Sequence, residues 1–210
     1  MESEKVSRKE REYLAHREEI LSAAEKVFAA KGFFPTTMSD IARKAEFGTG
    51  TLYKYFKSKE ELYFTLIDEK VEEINRLVKA ELSQKISAVE RIKKAVGLQF
   101  EFMERNRDFF RIYISERNRF EWTVKDDLGK GFHEKMVTYI NILADVIRQG
   151  IKGGEFRPLN PVDLAHALVG IVNSFVFEWL ISREPYPLIS KLDAVLEIFL
   201  GGVQQMERRR

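Results

Sequence analysis

Residues 36–62, TTMSDIARKAEFGTGTLYKYFKSKEEL, read as two short helices joined by a tight turn, with a third helix starting just after. Thr37 suits an N-cap, and Asp40 three residues on completes a capping-box-like pair. Met38, Ile41, Ala42 and Ala45 recur at helical spacing and give one apolar face. Phe47-Gly48 is expected to end that helix, because Gly tolerates the positive φ of a sharp exit. Thr49 to Phe56 form the second helix, with Leu52 and Phe56 turned inward, and Ser58 with Glu61 caps the next. Small Ala residues and the Gly at the turn let two such helices pack nearly at right angles, the sequence form of a helix-turn-helix.

The second helix would present Thr49, Thr51, Tyr53, Lys54 and Tyr55 on or beside its outer face, with no carboxylate among them to repel DNA. From Arg43 to Lys59 there are five basic residues (Arg43, Lys44, Lys54, Lys57, Lys59) against Glu46, although the whole chain carries only +2. DNA affinity must therefore come from a local patch. Ile20 to Gly32, followed by PTTMSDIARKAEFGTGTLYKYFKSKEEL, resembles the DNA-binding domain of the TetR/AcrR family of transcriptional repressors over residues 16 to 64. The specific part is the G-T-L-Y-x-Y-F-x-S-K-E-x-L core.

The resemblance implies an all-α protein of about nine helices. A three-helix DNA-binding domain, residues 1–57 with a charged arm, would precede residues 58–210, a connector helix and a larger helical effector-binding and dimerisation domain. It places Thr49, Gly50 and Thr51 near base edges and backbone, and Tyr53 and Tyr55 on phosphates. Lys54 is the best candidate for guanine or phosphate, and Lys44 belongs to the same basic patch. Thr37 and Lys59 each stand at a helix N-terminus, where backbone N–H groups and the dipole favour an anion. So few base contacts call for a dimer on palindromic double-stranded DNA, with recognition helices roughly 34 Å apart.

The remaining residues also read as helices. Ser87 with Glu90, Asp108 and Asn160-Pro161 are start signals, and Gly153-Gly154 and Pro185 with Pro187 are stops. A helix is expected from about 58 to 82, another from about 132 to 151, with a charged stretch from 117 to 131 before it. Residues 1–15 form a charged arm, frayed or continuous with the first helix. The last two long helices carry apolar faces: Leu164, Leu168, Ile171, Val172, Phe175 and Leu180, then Leu192, Val195, Leu196, Phe199 and Val203. By resemblance these pack against a second copy as a four-helix bundle; otherwise they serve the monomer's own core.

Phe100, Met103, Phe110, Tyr113, Tyr139, Phe175 and Trp179 are candidates to line an effector pocket, with plain core as the alternative for each. The effector would be a small molecule, apolar or aromatic; a buried Glu101, Glu104 or Glu178 among rings would suit a cationic one. Asp163 and His166 lie one turn apart, too few for a metal site. No cofactor is expected, and no Gly-rich phosphate loop, nucleophile elbow or metal-ligand helix suggests an enzyme. The absence of Cys excludes disulfides and thiol chemistry. The uncharged run Leu164 to Phe177 falls short of the ~20 residues of a bilayer span, so a cytoplasmic protein without membrane partners is expected. The favoured function is a homodimeric repressor released from its operator by the effector. The alternative is a DNA-binding accessory regulator that has no effector and acts through protein partners.

Overall fold

A computed structural model describes residues 7–111, 127–182, 184 and 186–203, with side chains from 134 onward in the second stretch. The fold is all-α. In chain order the helices are α1 (Arg8–Lys31), α2 (Met38–Lys44), α3 (Thr49–Tyr55), α4 (Lys59–Leu82), α5 (Ala88–Arg105), α6 (Asp127–Lys152), α7 (Pro161–Ile181) and α8 (Leu192–Val203). A 3-10 turn, Leu188–Lys191, leads into α8, and residues 107–111 are also helical. The charged N-terminal stretch does not fray after residue 7: α1 starts there, capped by the Ser7 hydroxyl. Helix α6 begins five residues earlier than the pattern suggested, at Asp127.

The described residues fall into two compact units, 7–69 with 108–111, and 70–107 with those from 127 on. In the first, Ile20, Ala24, Phe28, Ile41, Leu52, Phe56 and Leu62 make a closed core. The rings of Phe28, Phe33 and Tyr63 pack together at its end, with centroids 4.8–5.7 Å apart. Phe33 is buried, but its neighbour Phe34 stands half in solvent. Residues 33–35 form a turn, and the Phe34 ring packs edge-on against Phe33 at 5.4 Å from the outside.

The exit from α2 differs from expectation. Positive φ falls on Glu46 (60°), whereas Gly48 has φ −69° and serves as N-cap of α3. The Phe47 N–H donates to the Ala42 carbonyl (2.9 Å) and the Glu46 N–H to the Arg43 carbonyl (3.4 Å). This bond pair is a Schellman motif, and it demands a left-handed residue where Glu46 stands. A non-Gly residue bears a strain of about 1 kcal/mol there.

In the second unit, Ile92, Val96, Phe100, Leu143, Ile147, Leu168, Val195 and Phe199 are buried. Gly150 is required: a Cβ there would meet the Phe156 ring at 2.5 Å and the Ala88 Cβ at 2.8 Å. The chain turns back just beyond it, and the Glu155 carboxylate accepts the Ala88 and Val89 N–H groups at 3.0 and 3.1 Å, capping α5 from a distance. Helix α7 is long and apolar enough to cross a membrane by length and composition. Of the apolar residues named for the last two helices, most serve this unit's own core, while Ile171, Phe175 and Leu192 are half-buried. Leu164, Leu168, Val172 and Leu180 on α7, and Val195, Leu196, Phe199 and Val203 on α8, are buried in its own core. What stays exposed is the opposite stripe: Ala167, Gly170, Ser174, Phe177 and Ile181, with Ile198, Gly201 and Gly202 on α8.

Candidate nucleic-acid interface

Leu52, fully buried, and Phe56, its C-cap, anchor α3 to the first core and fix which face points out. That outer face carries Thr49, Gly50, Tyr53 and Lys54, all exposed, with Thr51 half-buried beside them. Among the described residues, Tyr53 and Lys54 have no hydrogen-bond or ion-pair partner, so the phenol and the ammonium are available. No atom lies within 4 Å of where a Gly50 Cβ would sit, so nothing inside the protein calls for Gly at that position. Lys44 is exposed at the end of α2, in a groove where Glu18, Glu19 and Glu46 also gather.

Three of the expected side chains are engaged within the fold. Lys59 Nζ donates to the carbonyls of Phe33 (2.9 Å), Phe34 (3.1 Å) and Thr36 (2.8 Å), and lies 4.3 Å from the Phe33 ring centroid. An ammonium has three N–H donors, so none remains for a phosphate. Lys59 instead ties the start of α4 to the turn that precedes α2. Thr37 caps α2: its hydroxyl accepts the Asp40 N–H (3.1 Å), and Asp40 accepts both the Thr37 hydroxyl (2.9 Å) and the Thr37 N–H (3.2 Å). Lys31, bonded to Asp40 at 3.0 Å, and the Thr37 donors hold the Asp40 carboxyl down at about 2.

Tyr55 is the third. Its ring stacks on Tyr13 at 4.7 Å, and its Oη lies 3.1 Å from His16 Nδ1. His16 also meets the Phe47 ring edge-on at 5.1 Å. The N-terminal part of α1 thus braces the last turn of α3 and the turn before it. Of the two alternatives for the charged arm 1–15, its described part is continuous with the first helix, and Tyr13, His16, Arg17 and Ile20 carry on the helical spacing of the α1 core face. Arg17 takes part too, 5.6 Å from the Phe56 ring centroid and bonded to Glu69 on α4.

The aromatics expected around an effector separate. Phe100, Met103 and Trp179 are core, and Trp179 is locked by its Nε1 donating to the Tyr186 carbonyl (2.9 Å) and by Arg107 at 4.9 Å. Phe175 is half-buried, Phe110 is buried in the first unit, and Tyr113 lies outside the described residues. Among the described candidates, Tyr139 lines a cavity of about 130 Å³ between α4 and α6. Burial pushes its phenol up to about 12. Glu101 and Glu178 are exposed, and half-buried Glu104 accepts the Leu188 N–H, so none of the three carboxylates is free inside a ring of aromatics. Among the described residues no three His, Asp or Glu side chains gather as metal ligands.

The chain is similar to known proteins along most of its length. Residues 20–66 match the family described as bacterial regulatory proteins, tetR family, and residues 85–182 match the tetracyclin repressor-like C-terminal domain. The transcriptional activator FasR of Mycolicibacterium smegmatis is 30% identical over 196 residues, covering 92% of this chain and 85% of FasR. The fatty acid metabolism regulator protein of Bacillus subtilis is 26% identical over 186 residues, 88% of this chain and 94% of that protein. The solved structure of the ketosteroid regulator KstR2 of Mycobacterium tuberculosis aligns with a TM-score of 0.74 at 26% identity, covering 90% of this chain and 95% of that one.

Proposed function

This chain belongs to the tetR family of bacterial regulatory proteins and is a DNA-binding transcriptional regulator; from that premise we propose that it acts as a cytoplasmic homodimeric repressor, released from a palindromic operator by a small apolar effector. Residues 1–57 carry the DNA contacts and 58–210 the effector and the dimer interface. The observation that carries the DNA reading is the outer face of α3, where Thr49, Gly50, Tyr53 and Lys54 stand exposed with no carboxylate on the helix. Tyr53 would position the protein on phosphate, while Thr49, Thr51 and Lys54 would face base edges.

Support for a second copy comes from the exposed stripe of α7 and α8. Ala167, Gly170, Ser174, Gly201 and Gly202 let two backbones approach closely, and Phe177, Ile181 and Ile198 supply apolar area that water otherwise covers. An apolar effector accords with relatives named for fatty-acid and ketosteroid regulation. Release requires the effector to bind the form that cannot hold both half-sites more tightly than the form that can.

Selection of bound sequences from random duplex DNA at about 150 mM salt tests the reading. An enriched palindrome with half-sites about one helical turn apart is expected. A single unpaired half-site would refute the dimer, and no enrichment from dimeric, folded protein would refute sequence-specific binding.

A further inference from the structure

Tyr13 stands 44% exposed on α1, a large ring that the first unit leaves outside its core. What it touches is the end of α3: its ring stacks on Tyr55 at 4.7 Å, with the planes 24° apart. Stacking makes no use of the hydroxyl, and the Tyr13 hydroxyl has no hydrogen-bond partner among the described residues. Tyr55 differs, because its Oη lies 3.1 Å from His16 Nδ1 and its ring is only half-exposed. Of the two stacked phenols, the one expected on phosphate is engaged inside the fold, and the one beside it is free.

A face of α1 leads away from this stack. Lys9, Tyr13, His16 and Ile20 follow one another at helical spacing, so Lys9 lies one turn beyond Tyr13 toward the start of the helix. Lys9 is exposed and has no ion pair among the described residues. Two nearby cations are spent on carboxylates, Arg8 on Glu12 and Arg17 on Glu69. Lys9 and Arg11 then remain against Glu10 in the first turn. Next to Tyr55 on α3, Lys54 is exposed and unpaired as well. The stack thus presents one phenol with a free donor, and each of the two helices that carry it adds a free ammonium. A phenol donates to a phosphate oxygen, and ammonium groups beside it neutralise the charge. Because the ring is already held against Tyr55, little freedom is lost when it binds.

We propose that the start of α1 is a second DNA-contacting element. Tyr13, in place of Tyr55, donates its hydroxyl to a backbone phosphate, and Lys9 neutralises phosphate charge one turn further along the helix. The contact continues the outer face of α3 and rests on that face lying against duplex DNA. The competing role for Tyr13 is a prop that only steadies Tyr55, and a phenylalanine would perform it equally well.

Titration of the full chain with the selected operator and with a mixed-sequence duplex tests this, because a phosphate contact is indifferent to sequence. Tyr13→Phe keeps the stack and removes the hydroxyl. It is expected to weaken both duplexes alike, by about three- to tenfold, with the melting temperature unchanged. Tyr55→Phe is expected to cost less affinity than Tyr13→Phe. Lys9→Gln should lower the salt slope by about one for each protomer bound. Native affinity in Tyr13→Phe would overturn the proposal and leave Tyr13 as a prop. A loss larger in Tyr55→Phe would overturn it too, and so would a native salt slope in Lys9→Gln. A Tyr13→Phe loss confined to one base position would also refute the phosphate contact. If the native chain bound neither duplex, the docking of α3 would fail and this contact with it. Native binding that is insensitive to Tyr13→Phe would remove this contact alone.

Discussion

The two units treat their conspicuous side chains alike in one respect and differently in another. In the first, Thr37, Tyr55 and Lys59 were candidates for DNA, and each is held by a neighbour within the fold, which leaves Thr49, Gly50, Tyr53 and Lys54 outward. In the second, Phe100, Met103, Trp179 and Tyr139 were candidates for a ligand; the first three are core, and Tyr139 lines a cavity whose other walls, Leu82 and Ile142 among them, were not candidates. The difference is in what survives. A helix of seven residues has a face fixed by its own spacing, so removing three candidates leaves a usable interface. A cavity is whatever several distant helices fail to fill, so no local pattern marks it.

The largest effect is expected where an assigned DNA contact is internal. Lys59→Met should lower folding stability by roughly 3 kcal/mol, since one ammonium satisfies three carbonyls. Thermal unfolding checks this. An unchanged melting temperature with a salt slope reduced by about one would place the ammonium on phosphate and break the contrast. Gly150→Ala probes the other unit: overlap with Phe156 and Ala88 should cost about 1–3 kcal/mol. Operator affinity well below the transition should stay as it was; a loss there would show that packing beside α5 also governs DNA binding.

Smaller effects sharpen the outer face of α3. Tyr53→Ala should weaken binding by about 1 kcal/mol across all sequences, whereas Lys54→Ala should change the preferred base at one position of the selected site. Titrations against a panel of altered sites separate the two, and a uniform loss for Lys54→Ala would reassign it to the backbone. Glu46→Gly relieves the left-handed strain at the end of α2 and should stabilise by about 0.5–1 kcal/mol in a denaturant titration. The least is expected from Asp40. Its carboxyl is depressed on folding, so its contribution is complete above the ordinary carboxylate range, near 4, and is lost as pH falls toward about 2. Asp40→Asn should therefore be less stable than the native chain at neutral pH and lose less between pH 4 and 2. Parallel acid profiles would refute this.

Much of the first unit was legible because its signals are short-range. The Thr37–Asp40 box, the Ser58–Glu61 pair, and Leu52 with Phe56 all lie within four residues of their partners. The left-handed exit from α2 lies two residues before the Gly48 expected to take it, because the Schellman hydrogen bonds fall on Glu46 and Phe47. The brace of Tyr13 and His16 on Tyr55 spans about forty residues; the spacing of Tyr13, His16 and Ile20 marks an inward face of α1 but not its partner. The same holds for the second unit. The apolar stripes of α7 and α8 were visible in the sequence, but which of them the monomer buries depends on α5 and α6.

Gly50→Ala tests most directly the claim that the outer face of α3 lies against DNA. In the free protein the added methyl enters open space, and Ala is the better helix former, so the melting temperature should hold or rise. Affinity for the selected operator should nevertheless fall about tenfold or more, because the methyl must occupy the space between backbone and DNA. Native affinity in the stable variant would contradict the docking of this helix end and move the interface elsewhere on the first unit.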